Sequence, residues 1–194
     1  SEIVVQKFGG TSVGTVDRID SVAEIIKNAS KSNKIVVVVS AMGGETNRLV
    51  DLAKAFGDDP DKREFDALVS TGETVSSALL TMALHSKGVK AKSFSASQIS
   101  MRTTSSYSKA KILDVDAKKI LDVVENDTIP IITGFQGVTE GGDVTTLGRG
   151  GSDTTAVAIA AQIAAIRCDI YTDVDGIFTT CLLYTSPSPR DFEA

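Results

Sequence analysis

Short β-branched runs alternate with amphipathic stretches along most of the chain. Ile3-Val4-Val5 and residues 35–39 (IVVVV) are apolar runs of strand length, the second continuous enough for a strand covered on both faces. Between them Ile19, Val22, Ala23, Ile25 and Ile26 recur at helical spacing, with Asp17 placed to cap the start. Strand, helix, parallel strand is the unit of an α/β fold. The same periodicities predict helices over 47–56, 61–69, 74–86 and 116–125, and strands over 91–95, 129–133 and 168–172. Residues 137–142 are dense in turn formers and read as a hairpin tip. The alanine-rich stretch 152–166 predicts a buried helix with Ser152 or Asp153 in its first turn. Beyond Thr180 the pattern ends: 181–190 holds two prolines in three positions and follows neither period.

Composition narrows the chemistry. At 194 residues, 42% hydrophobic, the chain has material for one core, or for one domain and a fragment of another. Its 25 acidic residues outweigh 20 basic ones, and no basic cluster exceeds Lys118-Lys119, so a nucleic-acid partner is not expected. A small anionic ligand stays open, because local cations and backbone N–H groups decide that. A single histidine, His85, is set against multi-histidine metal sites and catalytic triads, and its place on the apolar face or at the end of a helix predicts a structural role. Cys168 and Cys181 form no CxxC pair, which points to a reducing, cytoplasmic setting. The N-terminus lacks a signal-peptide pattern, and the apolar run 156–166, interrupted by Gln162, is too short to span a bilayer, so no membrane partner is expected.

Three glycine-rich turns follow predicted strands. Lys7-Phe8-Gly9-Gly10-Thr11-Ser12-Val13-Gly14 would let backbone N–H groups reach a phosphate, with Lys7 as a point charge; a plain strand-to-helix turn is the alternative. It matches neither the dinucleotide nor the Walker pattern. Ser40-Ala41-Met42-Gly43-Gly44 closes the second strand, and Thr46 after it lines a pocket or serves as an N-cap. Paired turns of this kind sit where open α/β sheets bind ligands. In the third, Arg149 lies among Gly148, Gly150 and Gly151 before Ser152 and Asp153, where its fork can grip a carboxylate. Asp153 pairs with a lysine such as Lys7, or is a bare first-turn acid. Glu73 can bind an ammonium group or simply begin a helix. Thr172, Asp173 and Asp175 end a strand in a turn that can face a ribose or an amino group; the order is not that of a calcium loop. No metal-ligand set is indicated.

Together KFGGTSVG, SAMGGETNRL, STGE, TGFQGV, TTLGRGGSDTTA and YTDVDGI, in this order over residues 3–180, resemble the catalytic domain of the aspartokinase family within the amino-acid kinase superfamily. The resemblance implies a three-layer α/β/α sandwich around a mainly parallel sheet. It implies transfer of the γ-phosphoryl of ATP, with Mg²⁺, to the side-chain carboxylate of L-aspartate, the entry to lysine, threonine and methionine synthesis. It places Lys7 on the transferring phosphoryl and Asp153 as the group that orients it. Phe8, Gly9, Gly10, Thr11 and Ser12, with Thr172 and Asp173, fall on the nucleotide side. Arg149, with Gly150, Gly151 and Ser152, falls on a substrate carboxylate, Glu73 on the substrate ammonium, and Ser40 and Thr46 in the amino-acid pocket. A homo-oligomer is implied for the full-length enzyme. The pattern departs after YTDVDGI: residues 1–180 read as a catalytic domain incomplete at its C-terminal end, without regulatory ACT domains, and 181–194 as a tail foreign to the family, resembling a translated adaptor. The alternatives are a fragment that binds aspartate without turnover, and a glutamate or acetylglutamate kinase. A nicotinamide oxidoreductase is disfavoured because no GxGxxG follows a strand.

Overall fold

The computed structural model describes residues 2–148, 150–172 and, in backbone, 178–182. In chain order the elements are β1 (Ile3–Phe8), α1 (Val16–Ala29), β2 (Lys34–Val39), α2 (Glu45–Ala53), α3 (Lys62–Val69), α4 (Thr71–Ser86), β3 (Ala91–Phe94), β4 (Arg102–Thr103), β5 (Ile112–Asp114), α5 (Ala117–Glu125), β6 (Ile129–Thr133), β7 (Gln136–Val138), β8 (Val144–Thr146), α6 (Gly151–Gln162), β9 (Arg167–Tyr171) and β10 (Phe178–Leu182).

The main sheet has the order β10-β9-β1-β2-β6-β3; β3, β6, β2, β1 and β9 run parallel, and β10 pairs antiparallel at the edge. β2 explains its own burial. Val36 and Val38 face one core with α5 and α6, while Ile35, Val37 and Val39 face another with α1 and α4. Alternate residues of one strand thus anchor both outer layers, the three-layer sandwich that the sequence implied. Lys62–Ser86 has the length and hydropathy of a membrane span, but it is two helices meeting at Ser70, and Leu80 and Leu84 of α4 are fully buried against the sheet.

A second sheet, β5-β4-β7-β8, stands beside the first. Asp66 of α3 fastens it. This fully buried carboxylate accepts hydrogen bonds from Ser108 N (2.9 Å), Ser108 Oγ (3.2 Å), Thr146 N (2.8 Å) and Thr146 Oγ1 (3.0 Å). Four donors satisfy both oxygens of a buried carboxyl that would otherwise be costly to desolvate.

Several boundaries differ from the sequence reading, each for a local reason. Thr15, not Asp17, caps α1: its backbone is extended (φ −140°) and its hydroxyl accepts from Arg18 N at 3.2 Å, whereas Asp17 lies inside the first turn. α4 begins at Thr71 rather than 74, directly after α3. α6 stops at Gln162 because Ala164 turns left-handed (φ 55°). β4 and β5, two and three residues long, show no period. β10 ends at Leu182, two residues beyond Thr180. His85 takes the second of its two expected places, the end of α4, where it is exposed and its Nε2 lies 2.7 Å from Ala91 O.

Candidate active site

The carboxyl ends of β1, β2 and β6 open onto a cleft of about 270 Å³ lined by Gly10, residues 40–44, Thr46, Glu73, Phe135, Gly151 and Ser152. Two helices start at its rim after left-handed glycines, Gly44 (φ 84°) before α2 and Gly150 (φ 74°) before α6, and neither has a side-chain cap. Uncapped first turns present N–H groups and positive partial charge to an anion.

The first two glycine loops pack back to back. Gly43 N donates to Gly10 O at 2.9 Å; a Cβ on Gly10 would fall 3.2 Å from Ala41 O, and one on Gly43 would fall 3.1 Å from Gly10 O. Their glycines are therefore needed for loop-on-loop packing even before a ligand is considered.

Lys7 leaves β1 on the α6 side. Its Nζ lies 2.7 Å from Asp153 Oδ1, the side chains being 12% and 50% exposed. α6 thus delivers its first-turn acid to the lysine, and the ammonium is held at the strand end. With one partner half in water, the pair positions a cation more than it stabilises the fold.

Glu73 is the opposite case. It is 2% exposed in the first turn of α4, and Oε2 has no hydrogen-bond partner among the described residues. Burial pushes its carboxyl up to about 8, outweighing the backbone N–H groups of Glu73 and Ala41 that favour the ionised form. Ser76, one turn further, donates from Oγ to Ser40 O at 2.6 Å, and Ser40 N donates to Phe8 O at 3.0 Å. These bonds join α4, the second loop and β1 around the cleft.

Ser40, Thr46, Glu73, Gly10, Gly151 and Ser152 all line this one cleft, with Lys7 and Asp153 paired where β1 meets α6. Gly150 precedes α6 as its cap, and Thr172 is exposed just after β9. Gly9 N donates to Tyr171 O at 3.4 Å, tying the first loop to the end of β9. Phe8 departs from the nucleotide-facing expectation. Its ring is fully buried and stacks on Tyr171 with centroids 4.6 Å apart, so its side chain belongs to the core. Thr11 is exposed and its carbonyl accepts from Arg18 Nη1 at 2.9 Å. Ser12 is fully buried, its Oγ without a partner among the described residues. Arg149 and Asp173 lie outside the described residues. Sequence reasoning missed Phe135, which reaches the cleft through a left-handed backbone (φ 69°), and Gln136 beside it; neither residue type signals its role.

The amino acid kinase family profile matches residues 2–181 of this chain. The chain belongs to the amino acid kinase family. Within this family it is 55% identical over 179 residues to the aspartate kinase Ask_LysC of Stutzerimonas stutzeri, covering 92% of this chain and 43% of that protein. E. coli aspartokinase III in complex with lysine and aspartate superposes with a TM-score of 0.81 at 30% identity, over 89% of this chain and 50% of that one. The same enzyme with aspartate and ADP gives 0.78 at 28% identity, over 88% and 49%. The chain spans less than half the length of the curated relative it matches.

Proposed function

We propose that the protein containing this chain is an aspartate kinase, joining the γ-phosphoryl of ATP to the β-carboxylate of L-aspartate to give 4-phospho-L-aspartate. The observation that carries the reading is Glu73, a desolvated carboxylate in the cleft with an oxygen to spare, which suits a substrate ammonium group. The 55% identity to an aspartate kinase and the aspartate and ADP held by E. coli aspartokinase III support the same substrates.

In this reading the two sides of the cleft divide the work. Glu73 receives the amino group, Ser40 and Thr46 line the amino-acid pocket, and Arg149 with the Gly150–Ser152 turn holds a substrate carboxylate. The backbone N–H groups of residues 10–12, together with Thr172 and Asp173, take the nucleotide. The acceptor carboxylate is already ionised, so no general base is required, and catalysis rests on alignment and charge neutralisation. Lys7, steadied by Asp153, lies against the transferring phosphoryl and offsets charge as it moves to the bridging oxygen. Among the described residues no three His, Cys, Asp or Glu side chains cluster as metal ligands, and Asp153 is already engaged by Lys7. That donor set fits Mg²⁺ carried mainly by the phosphates, where it would supply charge neutralisation.

The complete enzyme, given ATP, Mg²⁺, hydroxylamine and L-aspartate, should form aspartyl hydroxamate. Product from glutamate but none from aspartate overturns the assignment. Calorimetry on the 194-residue chain separates the fragment reading: aspartate binding without ATP binding or turnover marks a piece that recognises but does not catalyse.

A further inference from the structure

Gln136, absent from the catalytic reading, is 5% exposed at the start of β7 and has every polar valence filled. Its Nε2 donates to Ser70 O at 2.6 Å and to Thr74 Oγ1 at 3.0 Å. Its Oε1 accepts from Thr133 Oγ1 at 2.8 Å and from Ala96 N at 3.4 Å. The donor side grips α4 and the acceptor side grips the end of β6 and the segment after β3. Ser70 and Thr74 bracket Glu73, and Ser70 is the single residue through which α3 passes into α4, with no side-chain cap of its own. The first turn of α4 is thus tied to the sheet by one amide, next to Phe135, which lines the same cleft.

We infer that Gln136 is a positioning residue for amino-group recognition: it sets the register of the first turn of α4, and so the place at which Glu73 meets the substrate ammonium. The inference rests on the reading of Glu73 given above. A fully bonded core amide with only a structural role would, when removed, weaken every ligand alike or none. A positioning role weakens ligands that carry the amino group and spares those that lack it. Succinate is L-aspartate without its amino group, and it probes that difference.

The experiment measures, in the complete enzyme, the KM for aspartate, the Ki of succinate as its competitor, the KM for ATP and kcat, for the wild type, Gln136→Met, Gln136→Glu and Glu73→Gln. Gln136→Met keeps length and loses all four bonds. Gln136→Glu keeps the acceptor side and retains at most one of the two donors toward Ser70 O and Thr74 Oγ1, so it weakens the α4 tie selectively if the methionine variant does not fold. Both should raise the aspartate KM by about tenfold, leaving succinate Ki and the KM for ATP within twofold. Adding either change to Glu73→Gln should cost little more, because both act through one contact. Equal loss for aspartate and succinate, or no loss for either, overturns the positioning role alone. If Glu73→Gln itself leaves the aspartate-to-succinate ratio unchanged, the Glu73 reading fails and the role of Gln136 fails with it.

Discussion

Lys7 and Glu73, the two ionisable groups on which the candidate site turns, are prepared in opposite ways. Lys7 meets its counter-charge within the protein, at 2.7 Å, beside a half-exposed acid. Glu73 is stripped of water and left with an oxygen unmatched. A cation already paired is held in place and can exchange part of that pairing for phosphate oxygens. A carboxyl desolvated with no counter-charge is held near neutrality until a cation arrives. One side of the site is thus preorganised by a partner, the other by its vacancy, and the second carries the pH sensitivity.

Mutation should separate the two sides, most strongly at the lysine. Lys7→Ala in the complete enzyme should lower kcat by about 10²-fold or more, as loss of a charge-stabilising donor does, with aspartate affinity by calorimetry changed less than twofold. Wild-type turnover in that variant would remove Lys7 from the phosphoryl site.

Acidity should separate them next. With Glu73 raised from an ordinary 4.5 to about 8, the folded protein holds a proton that the unfolded chain releases first. The resulting stability is fully present below about pH 4.5 and is lost as pH rises through about 8, with a limiting slope of about 1.4 kcal/mol per pH unit. Chemical denaturation of the chain at pH 5, 6.5 and 8 should show that decline, and Glu73→Gln should flatten it. Aspartate binding runs the other way, since the ammonium needs the ionised carboxylate: the KM should fall as pH rises from 6 to 8 and lose this dependence in Glu73→Gln. A wild-type profile already flat over this range would mean that Glu73 is ionised in the empty site.

The smallest effect lies in the frame of the first loop. Thr15→Ala removes the α1 cap just after the glycine turn and should cost about 1 kcal/mol of stability, read from the denaturation midpoint. It should shift the KM for ATP more than that for aspartate; equal shifts would show that the loops do not report separate substrates.

Long periodic elements were legible in the sequence because they bury one face in a repeating way: α1, β2 and β6 lie within a residue or two of their expected places. Of the second sheet only the β7–β8 hairpin was legible, from its turn formers at 137–142; β4 and β5, two and three residues long, carry no period, and Asp66 and Gln136, which fasten the sheet, look like ordinary polar positions. Their importance comes from burial, and burial of a lone polar residue is a property of its tertiary neighbours. The glycine loops were visible as chemistry, yet their mutual contact was not, since a backbone-to-backbone approach leaves no trace beyond the glycines themselves. Phe8 shows the converse. It belongs to a ligand-loop motif by position and to the hydrophobic core by contact.

The hydrogen bond from Gly43 N to Gly10 O makes the seam between the two loops a main-chain seam. Alanine scanning of side chains would pass over it, because neither partner has a side chain to delete. A displacement of one loop would strain this bond and so be felt by the other. Its severance calls for an amide-to-ester replacement at residue 43, and communication between the two substrates is where the effect would register.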